Sequence, residues 1–389
     1  MKKVISTERI PIKLWLNDIE ESALSQIKNL ANLPFTFKHI AVMPDAHTGY
    51  GMPIGGVMAT KGVIIPNAVG VDIGCGMCVV KTSLTDIDNE TLKKLMSEIR
   101  QVVPVGFKKN KELQNQLLMP DRNQVFTMGK ICEIENDNAL NSLGTLGGGN
   151  HFIEVQKGSD GFIWIMIHSG SRNLGYKVAK HYNKLAVDLN EKWFSKIDTK
   201  TELAFLPIDS QDGKDYIKEM NYCIAFAFAN RKLMMDRITN CFSDNIKGFS
   251  CNEMINIAHN YAELENHFNQ NVWVHRKGAT KAYKNMIGII PGSQGTKSYI
   301  VKGLGNVESF KSCSHGAGRL MSRKGAIKNL DFDIEVKKLE DQNIIHSIRG
   351  KENLDEASGA YKDIKIVMDN QSDLVEIMVE LSPLAVIKG

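Results

Sequence analysis

The chain has 389 residues, of which 43% are hydrophobic and 24% charged, and its formal net charge is +4. Such values are ordinary for a globular protein, and the small charge neither demands nor excludes a nucleic-acid partner. No apolar run approaches the length of a bilayer span, and the N-terminal residues lack the apolar core of a signal peptide. We therefore expect a cytoplasmic protein whose seven cysteines are mostly small buried side chains.

The first half of the chain predicts alternating helix and strand. Residues 15–32 carry an apolar stripe at helical spacing, which predicts a helix. Buried strands are predicted at 39–43, within 57–66 and at 162–167. His168 follows the last of these strands, a position where a strand commonly presents a functional group.

The second half begins with a segment of helical character. Apolar residues recur at helical spacing over 214–242 and again over 252–264, which predicts a helical insertion of about 176–270. Strands return at 272–275, 286–291 and 298–303, and the chain ends in AVIKG. Because no fixed-period repeat or Pro/Ser-rich linker interrupts this order, we expect a single α+β domain of mixed sheets and surrounding helices over residues 1–389.

Glycine-rich segments containing metal-binding residue types recur along most of the chain. Glycine permits sharp turns and a close approach of the backbone to a ligand. Seven such segments favour one site assembled from distant parts of the sequence. They are MPDAHTGYGMPIGG, VGVDIGCGMC, GTLGGGNHFIE, IHSGSRNLG, VHRKGAT, PGSQGT and CSHGAGR, and their polar residues include Asp45, His47, Asp72, Cys75, Asn150, His151, His168, Arg172, His275 and His315.

The segment VDIGCG brings a carboxylate and a thiol close together. Asp72 and Cys75 are three residues apart, and Gly74 between them lets both side chains turn toward one point. A carboxylate with a thiolate suits Zn²⁺, Co²⁺ or Mn²⁺. Cys75 and Cys78 also form a C-x-x-C pair, for which the alternatives are a redox pair or half of a zinc ribbon. No second pair completes a ribbon.

Three histidines extend this ligand set. His151, His168 and His275 each border a glycine-rich segment, although a lone histidine is more often an ordinary core or surface group. Together with the aspartate and the thiol they exceed the four ligands of one structural zinc. The number of ligands predicts two metal ions that share the Cys75 thiolate, an arrangement typical of phosphoryl transfer.

His315, in SCSHGAGR, is a candidate ligand, general base or nucleophile. Basic residues beside the histidines could bind phosphate or could be ordinary surface charges, and PGSQGT could form an anion-binding nest. These basic candidates are Arg172, Arg276, Lys277 and Arg319. Neither a Walker A nor a Rossmann pattern is present. The residues thus indicate two-metal phosphoryl chemistry without naming a substrate.

The segments VGVDIGCGM, GGGNHFIEV, HSGSRNLG, VHRKGAT, PGSQGT, SCSHGAGR and GAYKDI together resemble the RtcB family of RNA-splicing and repair ligases. The resemblance extends from PIKLW near the start to the final AVIKG. It departs at Gln294, where an apolar residue is usual, and at Leu320, where a basic residue is common. Neither departure removes a predicted ligand or the predicted nucleophile.

The resemblance implies a role for each matching residue. Metal ligands for two Mn²⁺ ions would be Asp72, Cys75, His151, His168 and His275, and His315 would be the residue that is guanylylated. Contacts to the guanine nucleotide would come from Asn150, Glu154, Ser293, Gly316, Gly318, Tyr361 and Lys388. Ligand softness favours Zn²⁺ over Mn²⁺ at such a site, so we expect Zn²⁺ to bind and inhibit.

The implied reaction joins RNA 3′-phosphate or 2′,3′-cyclic phosphate ends to 5′-hydroxyl ends, with GTP as cosubstrate, in tRNA splicing or RNA repair. Its steps would be a His–GMP adduct, an activated RNA(3′)pp(5′)G end, and displacement of GMP by the 5′-hydroxyl. The motifs identify neither the natural RNA nor an activating protein partner. Two alternatives are a two-metal phosphatase or cyclic phosphodiesterase without ligation, and an RNA-binding protein with an inactive site.

Overall fold

A computed structural model describes residues 1–121 and 130–389. Its strands are β1 (Lys3–Ile5), β2 (Ile12–Leu14), β3 (Thr36–His47), β4 (Ile54–Thr60), β5 (Val63–Ile64), β6 (Gly76–Lys81), β7 (Phe152–Gly158), β8 (Ile163–Ser169), β9 (Leu206–Pro207), β10 (Ile255–Ala258), β11 (Asn260–His267), β12 (Gln270–Lys277), β13 (Ala279–Lys281), β14 (Ile287–Ile290), β15 (Ser298–Gly303), β16 (Ser312–Ser314) and β17 (Val375–Lys388). Its α-helices are α1 (Glu21–Asn32), α2 (Pro66–Val69), α3 (Asn89–Val102), α4 (Ile131–Ile134), α5 (Asn136–Ser142), α6 (Arg172–Lys192), α7 (Gln211–Asn245), α8 (Arg323–Asn329), α9 (Phe332–Glu340) and α10 (Ile364–Asp369).

Two large sheets organise the chain, and each combines strands from distant parts of the sequence. The six-stranded sheet has the order β1-β2-β3-β4-β12-β11, and the seven-stranded sheet has the order β10-β6-β8-β7-β17-β15-β14. Neighbours are antiparallel except for the parallel pair β2–β3. The C-terminal strand β17 lies between β7 and β15, so the end of the chain is built into the middle of a sheet. The predicted α+β class is confirmed.

The long helices α3 and α7 cover one face of the seven-stranded sheet. Apolar side chains from β6, β7, β8 and β17 pack there against Leu95, Ile99, Met234 and Ile238, all without solvent exposure. Burial of this apolar surface is the main force that holds helix against sheet. Helix α7 begins at its cap Ser210, whose hydroxyl accepts a hydrogen bond from the Gly213 N–H. The packing of α3 and α7 holds β6, β7, β8 and β17 in place, and the site is built at the ends of these strands.

The strand predictions at 39–43, 162–167, 272–275, 286–291 and 298–303 all fall within or largely overlap strands. The first helix, predicted over 15–32, extends only over Glu21–Asn32. Trp15 instead packs fully buried in the core, and its Nε1–H donates to Asp373 at 2.9 Å.

The prediction of helix over 252–264 is wrong. This segment forms β10 and β11, which pair with β6 and β12 respectively. Apolar residues at spacings of three and four resemble a helix in sequence, but here strand pairing decides the conformation. The region predicted as a helical insertion therefore contains α6 and α7 followed by strands, and its domain boundaries stay a prediction. No helix in the described residues is long and apolar enough to cross a membrane.

Candidate active site

A buried cluster of one thiol and two imidazoles lies where the seven-stranded sheet meets its loops. The Cys75 Sγ atom is 3.4 Å from Nε2 of His168 and 3.5 Å from Nε2 of His151. One ligand atom from each of these residues lies within 4.8 Å of the others. Convergence of one sulfur and two nitrogens from three separate segments is the arrangement expected of a metal site.

Strand pairing explains this convergence. His168 is near the end of β8 and is paired on one side with Met77 of β6 and on the other with Phe152 of β7. Cys75 immediately precedes β6, and His151 immediately precedes β7. Both strands run antiparallel to β8, so their first residues lie beside the end of β8 that carries His168. Gly74, with φ of +78°, provides the left-handed turn before Cys75 that a side chain would strain.

Asp72 borders the same cluster. Its Oδ2 lies 3.2 Å from Nε2 of His151, and its side chain keeps 32% exposure. Burial by itself would raise the pKa of Asp72, but the hydrogen bond and charge of His151 hold that pKa below its ordinary value. The carboxylate is therefore ionised at neutral pH and available to a cation.

The electrostatics of the cluster suit a bound cation. Burial raises the pKa of the Cys75 thiol well above its ordinary value, and the nearby Asp72 charge raises it further. Burial, with the neighbouring histidines, lowers the pKa of His168 well below its ordinary value. A neutral imidazole is ready to coordinate, and a metal ion would supply the positive charge that a buried thiolate needs. The residues present therefore fit a metal.

His275 does not join the cluster. Its Nε2 accepts a hydrogen bond from the Ile65 N–H at 3.1 Å, and its Nδ1 lies 3.2 Å from the Trp273 carbonyl oxygen. Both ring nitrogens are thus satisfied by backbone groups, one from Ile65 just before α2 and one from Trp273 of β12. This placement corrects the prediction that His275 is a metal ligand.

His259, which sequence reasoning missed, lies beside the cluster instead. Its ring centroid is 5.1 Å from that of His168 and 4.8 Å from that of His315. Its Nδ1 is buried with no hydrogen-bond partner in the described part of the chain. The next residue, Asn260, donates to the Asp72 carbonyl oxygen at 3.1 Å and so ties this segment to the VDIGCG loop. His259 stands in AHNY without a flanking glycine, which is why a search for glycine-rich segments passes over it.

His315 is oriented by a buried carboxylate. Oδ2 of Asp45 lies 2.6 Å from Nδ1 of His315 and accepts a second hydrogen bond from the His315 backbone N–H at 3.1 Å. Asp45 has no solvent exposure, and it comes from the end of β3 in the other large sheet. Since Nδ1 is bound to the carboxylate, Nε2 is the nitrogen left for chemistry, as in a nucleophile–orienter pair.

An open cleft of about 770 Å³ lies in front of His315. All seven residues predicted to contact a nucleotide line it, together with His168 and Arg319. These seven are Asn150, Glu154, Ser293, Gly316, Gly318, Tyr361 and Lys388. The cleft is also lined by His47, Phe152, Gln294, Arg323 and Glu356, for which the sequence analysis assigns no role.

The C-terminal strand carries Lys388 into this cleft. Ala385, Val386 and Ile387 are buried in β17, and Lys388 pairs with Phe152 of β7. Burial lowers the pKa of Lys388, although the charges of Glu356, Glu154 and Asp355 oppose that shift. Burial raises the pKa of Glu154 to about 8, against an opposing effect from Lys388. Shifted acids and bases of this kind concentrate at functional sites.

Glu356 organises another wall of the cleft. Its carboxylate accepts from Arg319 at 2.9 Å, from Arg323 at 2.7 Å and from the Tyr361 hydroxyl. The carboxylate is itself buried, with its side chain only 2% exposed. These bonds fix two guanidinium groups at the cleft, where planar donors suit phosphate oxygens.

Other predicted phosphate-binding residues lie inside the protein. Arg276 has no exposure and binds Glu265 through two nitrogens, at 2.5 and 3.1 Å. Lys277 is also buried, and its Nζ donates to the carbonyl oxygens of Tyr50 and Asn67 at 2.6 and 3.0 Å. Both contacts are structural, so the structure corrects the prediction that these two residues meet RNA.

Arg172 lies beside His151 and the cysteine–histidine cluster rather than in the cleft. Its guanidinium donates to Thr145 Oγ1 at 2.8 Å and to the Gly106 carbonyl oxygen at 3.0 Å. Burial lowers its pKa while the charge of Asp72 raises it. Cys78, by contrast, is fully buried in the core between the sheet and α7, which is the environment of a packing residue.

Comparison with known proteins identifies the family of the chain. The sequence matches the family described as tRNA-splicing ligase RtcB over residues 26–137 and 121–389. It is 38% identical to the RNA-splicing ligase RtcB of Escherichia coli K12 over 100% of this chain and 99% of that protein. It is 33% identical to the tRNA-splicing ligase RtcB of Nanoarchaeum equitans, over 98% of this chain and 95% of that protein. The chain belongs to the RtcB family.

Proposed function

We propose that the protein is a GTP- and Mn²⁺-dependent RNA ligase that joins 3′-phosphate or 2′,3′-cyclic phosphate ends to 5′-hydroxyl ends, in tRNA splicing or RNA repair. The observation that carries this proposal is the position of His315. It is held by Asp45 at the mouth of a cleft lined by every predicted nucleotide contact, and it stands 4.8 Å, centroid to centroid, from an imidazole next to the metal cluster. Relatives named as RNA-splicing ligases support the substrate class.

Five side chains would hold two metal ions, and Cys75 would be a ligand of both. Asp72 lies beside His151, and His259 lies beside His168, while the Cys75 sulfur is within 3.5 Å of both His151 and His168. His259 replaces His275 in this set, because its buried Nδ1 lacks a partner whereas both nitrogens of His275 are bonded. When bound, the metals would neutralise negative charge on the phosphates during each transfer.

In the first step His315 Nε2 attacks the α-phosphorus of GTP. An N–P bond forms, the α–β anhydride bond breaks, and pyrophosphate leaves. Asp45 keeps the Nδ1 proton in place and stabilises the positive charge that develops on the ring. Arg319 and Arg323 lie where they can bind phosphate oxygens of the nucleotide.

In the second step an oxygen of the RNA 3′-phosphate takes GMP from His315, which leaves an RNA(3′)pp(5′)G end. The RNA 5′-hydroxyl then displaces GMP and forms the phosphodiester bond. A cyclic phosphate end is first hydrolysed to the 3′-phosphate. Glu154 and Lys388 together suit the edge of a guanine base, which carries both donors and an acceptor.

Incubation with α-³²P-GTP and Mn²⁺ tests the proposal directly. We expect a covalent, acid-labile protein–GMP adduct that disappears in His315→Ala. The variant should keep its metal and should still seal RNA that already carries the (3′)pp(5′)G end, because that substrate bypasses the nucleophile. Release of phosphate from RNA ends without adduct or ligation would instead favour a phosphatase or cyclic phosphodiesterase, and binding without any reaction would favour an inactive RNA-binding protein.

A further inference from the structure

The backbone that presents Asp45 to the nucleophile is held by a side chain that so far has no role. Pro44, Asp45 and Ala46 form an extended segment near the end of β3, where the pairing with β4 is interrupted between Val42 and His47. Without a neighbouring strand, these carbonyl groups need other donors. The donor is the Lys362 ammonium, which lies 2.5 Å from the Ala46 oxygen and 3.3 Å from the Pro44 oxygen.

The geometry of this contact constrains Asp45. One ammonium bonds to the carbonyl groups on both sides of Asp45, so it fixes the conformation of the backbone between them at a point where regular strand pairing is interrupted. Asp45 lies between the two bonded carbonyls, and its side chain then reaches His315. Loss of the ammonium would free two peptide groups on either side of the carboxylate.

The main chain of Lys362 is bound to the nucleophile loop as well. Its N–H donates to the Gly318 carbonyl oxygen at 2.9 Å, next to a bridge between Arg319 and Tyr361. Gly318 has φ of +75°, and a Cβ there would overlap the Asp45 carbonyl oxygen. Lys362 thus joins the loop that carries the nucleophile to the strand end that carries its orienting carboxylate.

We propose that Lys362 is a positioning residue, whose ammonium fixes the strand end that presents Asp45 to His315. The inference rests on the proposed function, in which His315 receives GMP. The alternative is a lysine that only satisfies two backbone carbonyls and stabilises the fold. The two roles differ in which reaction step they affect, because Asp45 is needed to orient an attacking nucleophile and is not needed once the RNA end is activated.

The test is single-turnover guanylylation by Lys362→Met, compared with sealing of pre-activated RNA. We expect the adduct to form roughly 10- to 100-fold more slowly, as for other small displacements of a reacting group. The KM for GTP and the rate of sealing should stay near wild type. Lys362→Arg, which keeps a cationic donor, should recover part of the rate. Lys365→Met, an exposed lysine in the same segment, is the matched control and should react as wild type does.

A second measurement does not depend on activity. The Nδ1–H proton of His315 should give a downfield NMR signal through its bond to Asp45, assigned by its loss in His315→Ala, and this signal should shift or vanish in Lys362→Met. If Lys362→Met fails to fold, Lys362→Gln, which keeps one shorter donor, replaces it in both experiments. Equal loss of guanylylation and sealing, an unchanged signal, or an effect confined to the GTP KM would each overturn the proposal. If the wild-type protein forms no adduct and the His315 signal still shifts in Lys362→Met, the proposed function would be wrong and the positioning role of Lys362 would stand.

Discussion

Asp45 and His315 are 270 residues apart in the sequence, yet Oδ2 of one lies 2.6 Å from Nδ1 of the other. The contact joins the end of β3, in the six-stranded sheet, to the loop after β16. A buried carboxylate bound to one nitrogen of an imidazole fixes both the tautomer and the direction of the other nitrogen.

Asp45→Asn should therefore impair the nucleophile selectively. The amide keeps the shape of the side chain but loses the charge that stabilises the developing imidazolium. We expect adduct formation to fall by about 10² to 10⁴, by analogy with other orienting carboxylates. Metal content and sealing of pre-activated RNA are the comparison measurements, and a parallel fall in sealing would show that Asp45 acts on the whole site.

Cys75→Ala should abolish both metal binding and guanylylation, because the Cys75 sulfur lies within 3.5 Å of both His151 and His168 and would be shared by the two ions. Cys78→Ala serves as the control, since Cys78 packs in the core and its thiol faces the Arg231 carbonyl oxygen at 3.9 Å. It should lose some stability but keep both metals. Metal content by plasma mass spectrometry and adduct yield decide the matter, and equal loss in the two variants would make the C-x-x-C pair functional.

His259→Gln and His275→Gln distinguish two possible ligand sets. We expect His259→Gln to reduce the bound metal from two ions toward one and to abolish guanylylation. His275→Gln should keep both ions, although the loss of its bonds to Ile65 and Trp273 should lower the melting temperature. Titration of each apoprotein with Mn²⁺ gives the stoichiometry. Two ions in His259→Gln with one in His275→Gln would reverse the assignment.

Removal of Lys388 should weaken the use of GTP more than any later step. The residue is built into β17 beside Phe152 and contributes its ammonium to the lining of the cleft. In Lys388→Ala we expect a higher KM for GTP in guanylylation, with sealing of pre-activated RNA and metal content close to wild type. An unaltered dependence on GTP concentration would mean that the lysine does not contact the nucleotide.

Glu154 should make stability depend on pH. Burial raises the pKa of this carboxyl to about 8 in the folded protein, whereas in the unfolded chain it should be about 4.3. Between these two pKa values the carboxyl is ionised in the unfolded chain but still protonated in the folded protein. The free energy of unfolding therefore falls as pH rises from about 4.3 to about 8. Glu154→Gln removes this effect, and its melting temperature relative to wild type should be higher at about pH 8.5 than at about pH 5. A pH-independent difference would mean that Glu154 is ionised throughout.

The sequence by itself predicted the residues of the cysteine–histidine cluster and those that line the cleft. Glycine-rich segments at strand ends identified Cys75, His151 and His168, because metal ligands and sharp turns leave a local signature. The residues expected to contact a nucleotide were named by resemblance, and they meet in one cleft. Of the strands around them, β3 and β8 were predicted from their apolar runs, whereas β6, β7 and β17 were not.

Only the tertiary structure decided which polar residues meet. His275 and His259 are both buried histidines of strand-rich segments, and pairing with β4 turns the first toward backbone partners while the second stands beside His168. Arg276 and Lys277 have the composition of phosphate-binding residues but lie inside the fold. Such choices depend on contacts between strands far apart in the chain, so no local pattern of residues encodes them.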